Sequence, residues 1–241
     1  MGLLNQKIKT AKKALDVFYA IDTSRSMAGE KLDAVNQAMN DLSQLLKVEA
    51  KKNPDVQVRI RILTFGGECA KWHVNEPQNI EDFTYQNIPE AQGSTPMGSA
   101  FNLLLQVFEN KSTDEKSMTP IIILLTDGHP MDSYEANLNK LIELPWGKKA
   151  IRVAIAIGKE KDVGMNVLEK FASQKSSIFN TTNLTDLREL IKWTSTLITH
   201  NVKTEGQEDK KYNFPTFATP SKKSREMSSA SILRDVDEDI K

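Results

Sequence analysis

The run Ile121-Ile122-Ile123-Leu124-Leu125-Thr126 is almost wholly apolar, and it stops abruptly at Asp127-Gly128. A strand with one wet face alternates apolar and polar residues. A short run this uniformly apolar is covered on both faces. Strands of that kind lie inside parallel sheets, whose neighbours are joined by helical crossovers that pack on each side.

The same arrangement recurs along the chain. Residues 14–21, with Val17-Phe18-Tyr19-Ala20-Ile21, and Ile151–Ile157, closed by Gly158, also read as buried strands. Glu30 to about Ala50 carries Leu32, Val35, Met39, Leu42, Leu45 and Leu46 at helical spacing, and Asn53-Pro54 breaks it. Val58 to Phe65 alternates, with Val58, Ile60, Ile62 and Thr64 on one face. Arg59 and Arg61 leave the start of the other face partly exposed. Gly66-Gly67 turns the chain into Cys69–Val74, expected as a short antiparallel edge strand, and 75–92 reads as irregular. Helices are expected over Met97–Phe108, Ser133–Leu144, 164–175 and 184–199, with Pro145-Trp146-Gly147 ending the second and a short strand near Ile178–Asn180. The expected fold is α/β: a doubly wound, mostly parallel sheet with one antiparallel edge strand and helices on both faces. The expected divisions are an N-terminal extension over 1–13, a domain over 14–200 and a polar tail over 201–241. The tail has too few apolar residues to offset chain entropy and is expected to be disordered when free.

Composition narrows the function. Lys plus Arg and Asp plus Glu number 32 each, so no global basic field invites nucleic acid. With one cysteine, Cys69, an intrachain disulfide is impossible. The N-terminus lacks a signal peptide's apolar core, and Gln6 stands where a myristoylation signal has Ser or Thr. No apolar run approaches the roughly 20 residues that span a bilayer. A cytoplasmic protein without membrane contact is expected.

Oxygen-bearing side chains cluster directly after predicted strands. The segments are Asp22-Thr23-Ser24-Arg25-Ser26, Gly93-Ser94-Thr95-Pro96-Met97-Gly98 and Thr126-Asp127-Gly128. Hard cations take oxygen ligands. In extended chain, Asp22, Ser24 and Ser26 would project to one side, and open α/β sheets bind ligands beyond the carboxyl ends of their strands. Each segment alone also has an ordinary reading: a helix cap for Asp22, Ser24 or Ser26, a helix start at Thr95-Pro96, a turn at Asp127-Gly128. Their joint order and strand context favour a metal site. Arg25 either points into solvent or weakens metal binding while attracting an acidic partner. His129 either touches a partner or is simply exposed. His73 and His200 form no metal pair, and no phosphate loop, metalloprotease motif or nucleophile elbow occurs. Cys69 reads as a small buried hydrophobe, Trp72, Trp146 and Trp193 as core or rim packing, and Lys148-Lys149 as a solvated turn.

These segments resemble the metal-ion-dependent adhesion site of the von Willebrand factor type A family, over roughly 14–200. Asp22-Thr23-Ser24-Arg25-Ser26-Met27-Ala28-Gly29-Glu30, Gly93 to Ala100 and Leu125-Thr126-Asp127-Gly128-His129-Pro130 are most similar to the bacterial TerY-type proteins associated with tellurite resistance. The resemblance implies a Rossmann-like fold. It implies that Ser24 and Ser26 bind the metal directly, Thr95 directly or through water, and Asp22 and Asp127 mainly through water or hydrogen bonds to the hydroxyls. Arg25 stands where the family commonly has glycine. The implied metal is Mg²⁺, with Mn²⁺ or Ca²⁺ as substitutes. Neutral hydroxyl ligands leave its charge uncompensated, ready for an Asp or Glu carboxylate of a partner protein.

The expected function is therefore a non-catalytic interaction module in a bacterial stress or Ser/Thr phosphorylation complex. The resemblance implies a Ser/Thr kinase and a PP2C-type phosphatase as partners, with Thr216 and Thr219 of the tail as phosphosites. The acids Asp235, Asp237, Glu238 and Asp239 would suit the metal of another copy, and a purely solubilising tail is the other reading. The alternatives are an adaptor subunit of a chaperone-like ATPase assembly and a metal-dependent phosphoester hydrolase. Against the hydrolase stands the lack of a second metal set, nucleophile or general base.

Overall fold

The computed structural model describes residues 12–110 and 117–203. Strands β1 (Lys13–Asp22), β2 (Val56–Gly66), β3 (Cys69–Asn79), β4 (Ile121–Thr126), β5 (Ile151–Ile157) and β6 (Ile178–Thr181) form one sheet, in the order β3-β2-β1-β4-β5-β6. All neighbours are parallel except the β2–β3 pair at the edge. The helices are α1 (Glu30–Lys52), α2 (Met97–Glu109), α3 (Glu135–Glu143), α4 (Pro145–Lys149), α5 (Met165–Phe171) and α6 (Leu184–Lys203). This is the expected doubly wound architecture.

Strand alternation divides each apolar run between two cores. Leu15, Val17, Tyr19 and Ile21 of β1, with Ile121, Ile123 and Leu125 of β4, pack with Leu32, Val35, Met39 and Leu42 of α1 and Leu187, Ile191 and Ile198 of α6. Phe18, Ala20, Ile122 and Leu124 pack with Phe101 and Leu104 of α2, Leu138 of α3 and Phe171 of α5. The continuous run is thus two period-two patterns superimposed, one for each face. Glu30 and Asp33 open α1, and Lys51 and Lys52 close it, as the helix dipole favours.

One buried polar link ties the central strand to α6. Thr194 Oγ1 donates to the carbonyl of Ile191, so the Tyr19 hydroxyl donates to Thr194, at 2.6 Å. Burial pushes the Tyr19 phenol up from its ordinary range. Tyr19→Phe removes this donor while keeping the ring, and is expected to cost about 1 kcal/mol in urea denaturation. A loss near zero would mean that the bond does not contribute.

The structure corrects several expectations. β3 runs to Asn79, beyond Val74, because its last residues, Asn75-Glu76-Pro77-Gln78-Asn79, show no apolar alternation. Cys69 is exposed, not buried: on this edge strand Ala70 takes the inward position. Pro145 starts α4 rather than only ending α3, since proline suits a first helical position. Lys148 and Lys149, expected in a turn, are exposed on that helix. α5 stops at Phe171, and α6 continues to Lys203. Trp146 and Trp193 are buried, and the Arg61 guanidinium lies 3.8 Å over the Trp72 ring. Among the described residues, no helix is long and apolar enough to cross a membrane. Thr216, Thr219 and the terminal acids lie outside the described residues.

Candidate metal centre at the carboxyl edge of the sheet

β1 pairs with β2 on one side and β4 on the other. The chain leaves β1 toward β2 and later returns through β4 on the opposite side. The loops after β1 and β4 therefore flank the switch point where open α/β sheets bind ligands. Ile21 is in register with Leu125, which brings Asp22 beside Thr126. The Thr126 hydroxyl donates to Asp22 Oδ2 at 2.6 Å, and the Ser24 backbone N–H donates to Oδ1 at 2.8 Å.

The first segment is not extended throughout, as its alternation had implied. Strand geometry ends at Asp22, and Arg25–Met27 make one 3-10 turn. The turn is held by the N–H of Met27 on the carbonyl of Ser24 and by the N–H of Arg25 on the carbonyl of Gly93, with Met27 fully buried beneath it. Curling, rather than strand alternation, brings Ser24 Oγ within 3.1 Å of Ser26 Oγ. Ser26 Oγ then donates to Asp127 Oδ1 at 2.7 Å. The capping readings fail locally: Gly29 is the N-cap of α1, and Ser24 makes no side-chain cap bond.

The second segment is clasped to the third. The carbonyl of Thr95 accepts the N–H groups of Met97 and Met131, and Asp132 accepts those of Gly98 (2.7 Å) and Ser99 (2.8 Å) at the start of α2. A Cβ built on Gly128 would stand 3.3 Å from Thr95 Oγ1, so the threonine hydroxyl faces the turn after Asp127. Asp22, Ser24, Thr95 and Asp127 are buried, whereas Arg25, Ser26 and His129 are exposed. Arg25 is exposed and makes no ion pair among the described residues. His129 lies beside Pro130 and Tyr134 on a cleft shared with Glu160, Lys161 and Met165.

Sequence reasoning missed the roles of three residues, of which only Thr126 stood in a singled-out segment. Thr126 orients Asp22, Asp132 anchors the Thr95 segment, and Lys31 lays its ammonium 2.5 Å from Asp127 Oδ2. Each is an ordinary polar residue in its local sequence, and its role depends on a partner far along the chain.

The donor set fits a hard cation. Among the described residues no three His, Cys, Asp or Glu side chains converge as a metal cage. The grouped donors here are hydroxyls backed by two carboxylates, the chemistry of Mg²⁺, Mn²⁺ or Ca²⁺. Asp22 is 0% exposed and makes no ion pair among the described residues. Burial pushes its carboxyl up to about 6. A buried carboxylate without a counter-charge is costly unless a cation joins it.

The sequence model of the von Willebrand factor type A domain matches residues 16–193. The pig inter-alpha-trypsin inhibitor heavy chain H4 is 29% identical over 177 residues, covering 68% of this chain and 18% of that protein. The human collagen alpha-5(VI) chain is 25% identical over 124 residues, 50% of this chain and 5% of that protein. The chain therefore spans less than a fifth of these curated relatives. Among solved structures, proximal thread matrix protein 1 from the mussel byssus, with a zinc-occupied metal-ion-dependent adhesion site, gives a TM-score of 0.54 at 18% identity, covering 78% of this chain and 46% of that one. The ArnB paralog from Sulfolobus acidocaldarius gives 0.55 at 19%, covering 76% and 45%.

Proposed function

This chain belongs to the von Willebrand factor type A domain family, and from that premise we propose that it is a metal-dependent protein-interaction module. The observation that carries the reading is the grouping of Asp22, Ser24, Ser26 and Asp127 between the ends of β1 and β4, with the Thr95 hydroxyl against the turn after Asp127. Ser24, Ser26 and Thr95 would hold the cation, and Asp22 and Asp127 would orient the hydroxyls and water around it. A divalent cation bound there supplies a Lewis-acidic position for a partner's Asp or Glu carboxylate.

The chain's own groups act around that position. Asp127 Oδ1 accepts the hydrogen bond of the Ser26 hydroxyl, so the Ser24 hydroxyl donates to Ser26 and one Ser26 lone pair is left facing away from the carboxylate. Thr126 and the Ser24 N–H fix Asp22 in one orientation. The Asp132 clasp keeps Thr95 beside Gly128. Arg25 and His129, both exposed and close in sequence to the donors, would be the residues to meet a partner. No part of this arrangement needs a nucleophile or general base, so the proposed role is recruitment rather than catalysis. The three TerY-like segments support placement in a bacterial stress complex of the tellurite-resistance type. A Ser/Thr kinase and a PP2C-type phosphatase as partners, with Thr216 and Thr219 as substrates, belong to the same proposal.

An affinity capture from native extract tests it, with Mg²⁺, Mn²⁺ or Zn²⁺ and again with EDTA, beside Ser24→Ala. A partner retained with metal and lost in EDTA and in the variant is the expected result. A partner that stays bound without metal would move recognition away from this edge of the sheet.

A further inference from the structure

The ammonium of Lys31 occupies a place in the site that no motif announces. From the first turn of α1 it lies 2.5 Å from Asp127 Oδ2 and 3.1 Å from the Ser26 carbonyl oxygen. The Asp127 side chain is 0% exposed and that of Lys31 is 35% exposed. The other Asp127 oxygen accepts the Ser26 hydroxyl. One buried carboxylate thus serves both a hydroxyl of the donor set and a cation built into the chain. Asp22, the second carboxylate, has no such partner among the described residues.

We infer that Lys31 is a tethered counter-ion that competes with the divalent cation for Asp127 and so holds the metal affinity of the site down. The inference rests on the proposed reading of this site as a divalent-cation site. Without metal, the ammonium neutralises a carboxylate that would otherwise be buried and unpaired, a costly state. With metal, two cations share one carboxylate at short range and repel. Lys31 then either stays and weakens the metal, or withdraws to solvent, for which its flexible four-carbon stem and partial exposure leave room. Both routes subtract from metal binding. Occupancy consequently follows the local divalent-cation concentration over a range set by this lysine, so that loading is reversible.

The test is Mn²⁺ titration of the full chain by electron paramagnetic resonance, at fixed ionic strength, for wild type, Lys31→Met, Lys31→Gln and Lys31→Arg. Methionine keeps the stem without the charge. Glutamine keeps a hydrogen-bond donor, which covers the case in which methionine prevents folding. Both should bind Mn²⁺ roughly tenfold more tightly, the order expected of one nearby unit charge under near-aqueous screening, and arginine should stay near wild type. In EDTA the uncharged variants should unfold at lower temperature than wild type, yet show the larger upward shift on adding Mn²⁺. If wild type binds and the uncharged variants bind equally or more weakly, the counter-ion role is overturned while the metal reading stands. If no form binds Mn²⁺ at millimolar concentration, the metal reading falls and takes this inference with it.

Discussion

Asp22→Asn is expected to make the metal-free protein more stable at neutral pH while abolishing its response to divalent cations. The carboxylate is 0% exposed and accepts hydrogen bonds from the Ser24 N–H and the Thr126 hydroxyl, with no cation beside it among the described residues. Burial is the main cause raising its carboxyl from 3.8 to about 6; bonds from Thr126 and Ser24 oppose the shift, and Asp127 adds to it. Because the folded value lies above the unfolded one, the folded chain holds this proton more tightly. The associated stability is complete below about 4 and is lost as pH rises through about 6. At pH 7 that loss is on the order of 3 kcal/mol, roughly two pKa units at 1.36 kcal/mol each. Asparagine keeps an amide oxygen for the Ser24 N–H, turns its NH2 to the Thr126 hydroxyl oxygen, which then accepts instead of donating, and carries no charge, so it escapes the loss. Denaturation in EDTA between pH 7 and pH 5 checks both parts, with wild type approaching the variant as pH falls. Saturating cation should raise the wild-type midpoint and leave the variant unmoved. A variant less stable than wild type at pH 7, with the same pH profile, would contradict the argument.

Gly66→Ala should produce the larger structural loss, about 3 kcal/mol or more, together with a weakened cation response. A Cβ on Gly66 would lie 2.1 Å from the carbonyl oxygen of Thr23 and 2.6 Å from its Oγ1. Thr23 cannot yield cheaply. Its N–H donates to the Phe65 carbonyl at 2.9 Å, and its carbonyl accepts the Gln92 N–H at 2.8 Å. Moving it moves the chain between Asp22 and Ser24. Gly67→Ala supplies the contrast. That glycine has φ +76° with nothing within 4 Å of its would-be Cβ, so only backbone strain is incurred, about 1 kcal/mol. Urea denaturation and Mn²⁺-induced thermal shifts of the two variants separate crowding from strain. Equal losses would show that Thr23 is not pinned.

The legible features were those encoded by local pattern. β1, β4 and β5 were readable because strands covered on both faces have no polar alternation to obscure them. The second half of β3 was hidden for the opposite reason: as part of an edge strand it carries Asn75-Glu76-Pro77-Gln78-Asn79, with no buried apolar residue to mark it. Asp22 and Asp127 stood out because each follows an apolar run directly. The grouping of Ser24 with Ser26 was expected, but by strand alternation. The 3-10 turn that achieves it depends on a hydrogen bond from Arg25 to Gly93, which no local signal announces.

The sequence by itself determined the α/β class, the two-faced burial of the central strands and the segments that hold the candidate donors, since periodicity and the ends of apolar runs are local properties. Only the tertiary structure decided which of those donors meet and what else meets them. Thr126 reaches Asp22 across 104 positions and Lys31 reaches Asp127 across 96, because β1 and β4 are neighbours in the sheet while α1 begins just beyond the end of β1. A charge is placed on a carboxylate by sheet order and helix position together, and neither can be read from the residues that flank it.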